Sequence, residues 1–187
     1  MIMKNTLKPI LFTTVLTLTA FFAVVYSSCK QDKCKSIACA YGGACDEGVC
    51  KCLPGYEGPN CETITRTKFL GRYQVYEQGT ITPIRQYPLA IEADADVNYV
   101  QIKNMYNYFS GPSVRAYVKG DSITIPNQQI LGKVVFGKGY IYSTNGYGTG
   151  TKITLRYEVV DSVNSLIVDD FGFYADVYHS QPSVWVK

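Results

Sequence analysis

Histidine is almost missing from this chain, cysteine stops at residue 61, and neither sign of charge dominates. The single histidine, His179, excludes paired imidazole chemistry and argues against a histidine-rich metal centre. No glycine-rich phosphate loop and no nucleophile elbow occurs anywhere in the 187 residues, which removes nucleotide-driven and serine-hydrolase mechanisms. Eighteen basic residues stand against fifteen acidic ones, and Lys4 and Lys8 precede position 29, so the remainder is almost neutral. Near-neutrality, without a visible cluster of Lys and Arg interleaved with aromatics, predicts no polyanion partner and no nucleic acid. These absences together predict a protein that is not an enzyme and that holds no cofactor.

What is present begins with an apolar N-terminus. Lys4 and Lys8 lead into the run from Ile10 to Val25, which ends in the small pair Ser27-Ser28. A charged start, an apolar middle and small residues at the end predict a secretory signal over residues 1–28. The stretch from Pro9 to Ser28 is also long enough to remain as a bilayer-spanning helix, and that alternative stays open. Cys29 follows directly, an odd seventh cysteine with no partner once the other six are paired among themselves. The arrangement Ser27-Ser28-Cys29 resembles a bacterial lipoprotein signal, which implies acylation of Cys29 and an anchor in a lipid bilayer. Residues 29–33 would then be the anchored tether, and the resemblance places the protein at the outer membrane or surface of a Gram-negative bacterium.

The six other cysteines lie between residues 34 and 61, spaced Cys34-x4-Cys39-x5-Cys45-x4-Cys50-x-Cys52-x8-Cys61. So short a segment buries too little apolar surface to offset chain entropy, and covalent cross-links must supply the difference. Six cysteines allow about fifteen pairings. Cys50, Cys52, Gly58 and Cys61 fill the pattern Cys-x-Cys-x5-Gly-x2-Cys, which resembles the second half of an EGF-like domain. The resemblance implies bridges from Cys34 to Cys45, Cys39 to Cys50 and Cys52 to Cys61, and a role as spacer for residues 34–61. Zinc would want Cys-x2-Cys pairs or histidines here, and calcium an acidic string before the first cysteine. Lys30-Gln31-Asp32-Lys33 offers one carboxylate between ammonium groups, so no metal is expected.

From Arg66 onward the pattern changes to period two, and thirteen of the sixteen tyrosines fall there. Ile153, Leu155, Tyr157 and Val159 alternate with Lys152, Thr154, Arg156 and Glu158, as in a half-buried strand. Val114–Lys119 and Ser122–Ile125 alternate likewise around Gly120-Asp121, a hairpin signature. At least seven such strands predict an all-β, antiparallel meander over residues 66–187 that closes into a barrel or stacks as a sandwich. Gly137 and Gly139, on one face of one strand, favour closure by relieving crowding where a sheet bends. Gly71 with Tyr73 distantly resembles the opening motif of lipocalins, which implies a small lipocalin-like barrel and an apolar ligand as one possible cargo.

The candidate site residues are few. Tyr106, Tyr108 and Phe109, before Ser110-Gly111-Pro112, put rings on an expected loop where they would grip a protein or a sugar face, or else plug a barrel end. Asp94 with Asp96, and Asp169 with Asp170, could serve as paired carboxylates for hydrolysis or as a weak cation site, and both read more simply as turns. The sequence therefore predicts a lipid-anchored exported protein whose EGF-like spacer presents a β-domain to a macromolecular partner. A carrier of a small apolar ligand is the alternative, and an enzyme using paired carboxylates a distant third.

Overall fold

The computed structural model describes residues 33–143, 150–174 and 180–187; Cys29, the N-terminal apolar run and His179 lie outside the described residues. The cysteine-rich segment folds around two miniature ladders. Strand β1 (Ala44–Asp46) pairs antiparallel with β2 (Val49–Lys51), and β3 (Tyr56–Glu57) with β4 (Thr63–Ile64). Disulfides join Cys34 to Cys45, Cys39 to Cys50 and Cys52 to Cys61, the order the EGF-like resemblance implies. Cys61 is fully buried, and the Tyr41 and Tyr56 rings stack with centroids 4.4 Å apart, so sulfur and aromatic contacts do the work of a core.

A short 3-10 turn, Thr65–Lys68, carries the chain into the second unit. Nine strands follow: β5 (Gly71–Glu77), β6 (Arg85–Ala93), β7 (Tyr99–Lys103), β8 (Val114–Lys119), β9 (Ser122–Ile130), β10 (Lys133–Ser143), β11 (Thr151–Asp161), β12 (Val168–Phe171) and β13 (Ser183–Val186). Strands β5 to β11 form a continuous antiparallel meander. β13 then returns between β11 and β5, with Ile153 opposite Trp185 and Trp185 opposite Val75. The ring of eight strands is closed, and β12 pairs with Glu158–Val160 on the same edge of β11 that β13 uses at Lys152–Leu155, continuing the wall beyond it. Closure rather than a sandwich gives each strand of the ring a neighbour on both sides, and the outer edge of β12 is met by the β5–β6 loop, where the Thr80 N–H donates to the Asp170 carbonyl at 3.1 Å.

The alternation read from the sequence decides which side faces in. Tyr73, Val75, Leu89, Ile91, Val100, Ile102, Ile123 and Leu155 are buried inside the ring. Gly137 and Gly139 lie where β10 crosses closest to β11: a Cβ at 137 would stand 2.4 Å from the Cβ of Tyr157. Only a missing side chain lets the two backbones approach there.

The interior also holds a carboxylate. Glu77 Oε1 accepts hydrogen bonds from Arg85 Nε (3.1 Å) and Nη2 (2.8 Å) and from the Tyr87 hydroxyl (2.8 Å), and Oε2 from the hydroxyls of Tyr157 (2.9 Å) and Ser183 (2.7 Å). The Trp185 indole N–H donates in turn to Ser183 Oγ at 2.8 Å. A buried charge is tolerated because every lone-pair direction is filled and a guanidinium neutralises it. Burial first, and then the Glu77 charge for Tyr87 and the Tyr87 charge for Tyr157, push both phenols above their usual value, so they remain donors.

Candidate functional site

The barrel has two unlike ends. At one end the β6–β7 and β8–β9 turns meet the cysteine module. Arg66 Nη1 donates to the backbone carbonyls of Asp94 (2.6 Å) and Asp96 (2.8 Å), and Lys68 bridges Glu57 and Asp121, both at 2.8 Å. A cleft of about 660 Å³ runs along this junction between Pro54–Glu57 and Tyr117, Lys119 and Ser122. The paired aspartates considered for hydrolysis belong to this turn. Asp94 accepts from Arg115 Nε and Nη2 (both 3.1 Å), the Asp96 N–H (3.0 Å) and Gln101. Arg115, and then the Asp96 N–H, hold its carboxyl down at about 2, so it stays an occupied anion rather than a proton carrier.

The opposite end gathers the β5–β6 loop, the segment between β7 and β8, the β9–β10 turn and the β11–β12 loop, because consecutive hairpins alternate ends. Met105, Phe109 and Phe171 close the interior beneath these loops with no exposed surface. The three aromatics singled out in the sequence therefore separate. Phe109 is not a surface residue: it belongs to the core, and contact with a partner is sterically closed to it. Tyr106 is half-buried, with a left-handed backbone (φ 60°) that turns its hydroxyl onto Asp169 at 3.0 Å. Tyr108 alone points outward.

Asp169 organises the loop above. It accepts from the N–H groups of Ile81 (2.9 Å) and Thr82 (3.2 Å) as well as from Tyr106 and the Thr82 hydroxyl. Gly79 is required beneath it, since a Cβ there would overlap Asp169 Oδ1 at 2.0 Å. Its neighbour Asp170 is fully buried, accepts the N–H of Gly172 (2.9 Å) and Tyr174 (2.9 Å) and the Ser180 hydroxyl, and lies opposite Glu158 on β11. Burial, and then the Asp170 charge, push the Glu158 carboxyl up to about 7.

Above this polar layer the loops present aliphatic side chains to water. Val163 is 93% exposed, Leu166 91% and Ile84 79%, with Ile81, Leu131, Ile167 and Tyr108 also exposed. The loops are ordered by their own polar groups. Asp161 Oδ1 accepts from the N–H groups of Val163 (2.9 Å) and Asn164 (3.0 Å), and Asn164 Oδ1 from Leu166 N–H (3.2 Å). Lys133 at 2.8 Å, followed by the Asn164 and Val163 N–H groups, holds the Asp161 carboxyl down at about 2. Ser162 N–H donates to the Gly132 carbonyl at 3.0 Å, joining this loop to the β9–β10 turn.

Leu131 is the least explicable of these residues on folding grounds alone. It occupies the first position of a two-residue turn with φ 48° followed by Gly132 at φ 74°, a geometry that asparagine adopts at much lower cost. It is also exposed, so burial does not compensate. The sequence contained this rim as isolated hydrophobics in loops, and only the strand order brings them to one end. Pairs such as Leu131-Gly132, where a turn carries an aliphatic residue in place of Asn or Asp, are the signal that was available.

The architecture is thus a disulfide-linked module joined to one end of a closed barrel whose other end is apolar. The chain is similar to Fibropellin-1 of Strongylocentrotus purpuratus, with 44% identity over 87 residues, which is 44% of this chain and 8% of that protein. The similarity and the three disulfides support an EGF-like module, and with it an exported or extracellular protein. No family model and no solved structure matches the chain. Among the described residues no helix is long and apolar enough to cross a membrane, and no group of three or more His, Cys, Asp or Glu side chains could hold a metal ion.

Proposed function

We propose that this is a lipid-anchored exported protein without catalytic activity, whose EGF-like module holds a β-barrel out from the bilayer so that the barrel's far end binds a partner protein. The observation that carries the reading is the rim itself. Val163, Leu166, Ile81, Ile84, Leu131 and Tyr108 stand exposed on loops ordered by internal hydrogen bonds, at the end away from the module that follows the anchoring segment. Aliphatic tips held in place lose little entropy on docking, and burying them against an apolar surface is the dominant gain at a protein interface. Acylation of Cys29 would supply the anchor.

A carrier of a small apolar ligand needs interior space. The residues that face inward, including Phe69, Val75, Ile102, Leu155, Tyr157 and Trp185, have no accessible surface, so no water-sized void adjoins them. The barrel's contents favour recognition on its outside.

The test is site-specific photocrosslinking of the full chain in the cells that make it. A photoreactive residue at Val163 or Leu166 is expected to capture one discrete protein, and the double change Val163→Asp and Ile84→Asp to abolish capture by the Leu166 probe. A rim probe that captures nothing, while the protein is folded and exported, would sink the reading. Metabolic labelling with an alkyne fatty acid checks the anchor separately: the label should disappear in Cys29→Ser.

A further inference from the structure

Near-neutral net charge argues against a polyanion partner only where the charges are mixed, and on one face of the barrel they are not. The acids Asp94, Asp96 and Asp121 sit at the module end and are already engaged by Arg115 and Lys68. On the outer face of β10 and β11 the pattern is different. In register along these two strands, Lys138 stands opposite Arg156, Tyr140 opposite Thr154, and Tyr142 opposite Lys152. Tyr140 and Tyr142 are each about half exposed, at 51% and 52%.

Among the described residues no ion pair involves Lys138, Lys152 or Arg156; Arg156 donates only to the Gly172 carbonyl, at 2.7 Å. Two cations directly opposite each other on a sheet repel; the Gly172 carbonyl holds Arg156, but nothing among the described residues offsets the charge of Lys138 beside it. The nearest acid in register on this face, Glu158, is buried against Asp170. The neighbouring strand adds Thr124 opposite Lys138 and Ser122 opposite Tyr140, so hydroxyl groups border the rings where a protein interface would place large apolar ones.

We propose that this stripe is a second binding surface, for an acidic polysaccharide of the uronic-acid class. The two tyrosine rings project two residues apart on one strand, about 7 Å along it, and offer electron-rich faces to the polarised C–H groups of successive sugar rings. Lys138 and Arg156 at one end and Lys152 at the other take the carboxylates, and Thr154, Ser122 and Thr124 meet sugar hydroxyls. The surface is independent of the apolar rim, because it lies on the barrel wall rather than on its far end.

The experiment is titration of the full chain in detergent with polygalacturonate fragments, with neutral dextran, polyglutamate, single-stranded DNA and vesicles containing phosphatidylglycerol as comparators. Polygalacturonate is expected to bind, more weakly as salt is raised, and dextran not to. The pair Lys138→Gln with Lys152→Gln and the pair Tyr140→Ser with Tyr142→Ser should each weaken binding by about tenfold or more. Both pairs lie on the solvent face, and unchanged Trp185 emission shows that the barrel remains folded. The rim change Val163→Asp with Ile84→Asp should leave this affinity unchanged, which separates failure of the stripe from failure of the rim. Absence of polygalacturonate binding overturns the proposal. So does equal binding to polyglutamate, insensitive to the tyrosines, which would reduce the stripe to bare charge. Tighter binding to DNA or to the anionic vesicles would assign it to those partners instead.

Discussion

The hydroxyl of Tyr157 on β11 donates to Oε2 of Glu77 on β5 at 2.9 Å, across the interior of the barrel and past the intervening strand β13. β13 is not left out, since Ser183 donates to the same oxygen at 2.7 Å. The polar contacts at Glu77 thus join the three strands that complete the ring, one of which is the first to form the meander and one the last in the chain.

Replacing Glu77 by alanine would strand Arg85, Tyr87, Tyr157 and Ser183 without their acceptor. A loss of about 3–5 kcal/mol is expected, the range for breaking a buried charged pair by removing one member. Glu77→Gln keeps an acceptor oxygen and should cost less than Glu77→Ala. Equilibrium unfolding in urea measures both, and equal costs would mean that a neutral acceptor oxygen is worth nothing there and that the charge carries the site.

Reduction of the disulfides should separate the two units. The barrel contains no cysteine, and Trp185, the sole tryptophan, is fully buried within it. Each bridge typically contributes about 2–4 kcal/mol to so small a module. Dithiothreitol is therefore expected to open residues 34–61 to protease while Trp185 fluorescence stays unchanged. A red shift of the emission on reduction would show that the barrel depends on the module.

Stability should depend on pH through Glu158. Its carboxyl is raised to about 7 in the folded chain, against an ordinary carboxylate value when unfolded, so the folded state holds the proton more tightly. The contribution is fully present below the unfolded value and is lost as pH rises through about 7. Melting temperature is expected to fall between pH 5 and pH 8, and Glu158→Gln to flatten that dependence by keeping a neutral partner for Asp170. An identical slope in the variant would place the titration elsewhere.

Leu131 offers a test of function against stability. Leu131→Asn relieves a left-handed leucine and should stabilise the protein by about 1 kcal/mol, while reducing crosslinking at the rim. A variant that is more stable and still fully captured would remove Leu131 from the partner surface.

Gly137→Ala would drive a methyl group into Tyr157 and the Arg156 carbonyl, 2.4 and 2.5 Å from the new atom. Neither can retreat without parting β10 from β11. A cost of about 1–3 kcal/mol or more is expected from overpacking, read as a lower urea midpoint.

The sequence by itself determined the cross-linked module, through cysteine spacing, and the inward face of each long strand, through alternation. Ile153, Leu155, Tyr157 and Val159 had to share a side because a strand has period two, whatever its neighbours. It also determined that Gly137 and Gly139 marked a tight place. Those glycines favoured closure, but the tertiary structure alone decided how it is made, because the return of β13 between β11 and β5 includes a pairing across more than a hundred residues that no local pattern encodes. It also decided the fate of the aromatics. Tyr106, Tyr108 and Phe109 are near neighbours in sequence, yet one reaches Asp169, one faces water and one fills the core, because positive φ angles at Asn104, Tyr106 and Asn107 turn the chain between them. The aliphatic rim and the Lys138–Tyr142 stripe became visible for the same reason: side chains scattered along the chain become a surface only when strand order and register set them side by side.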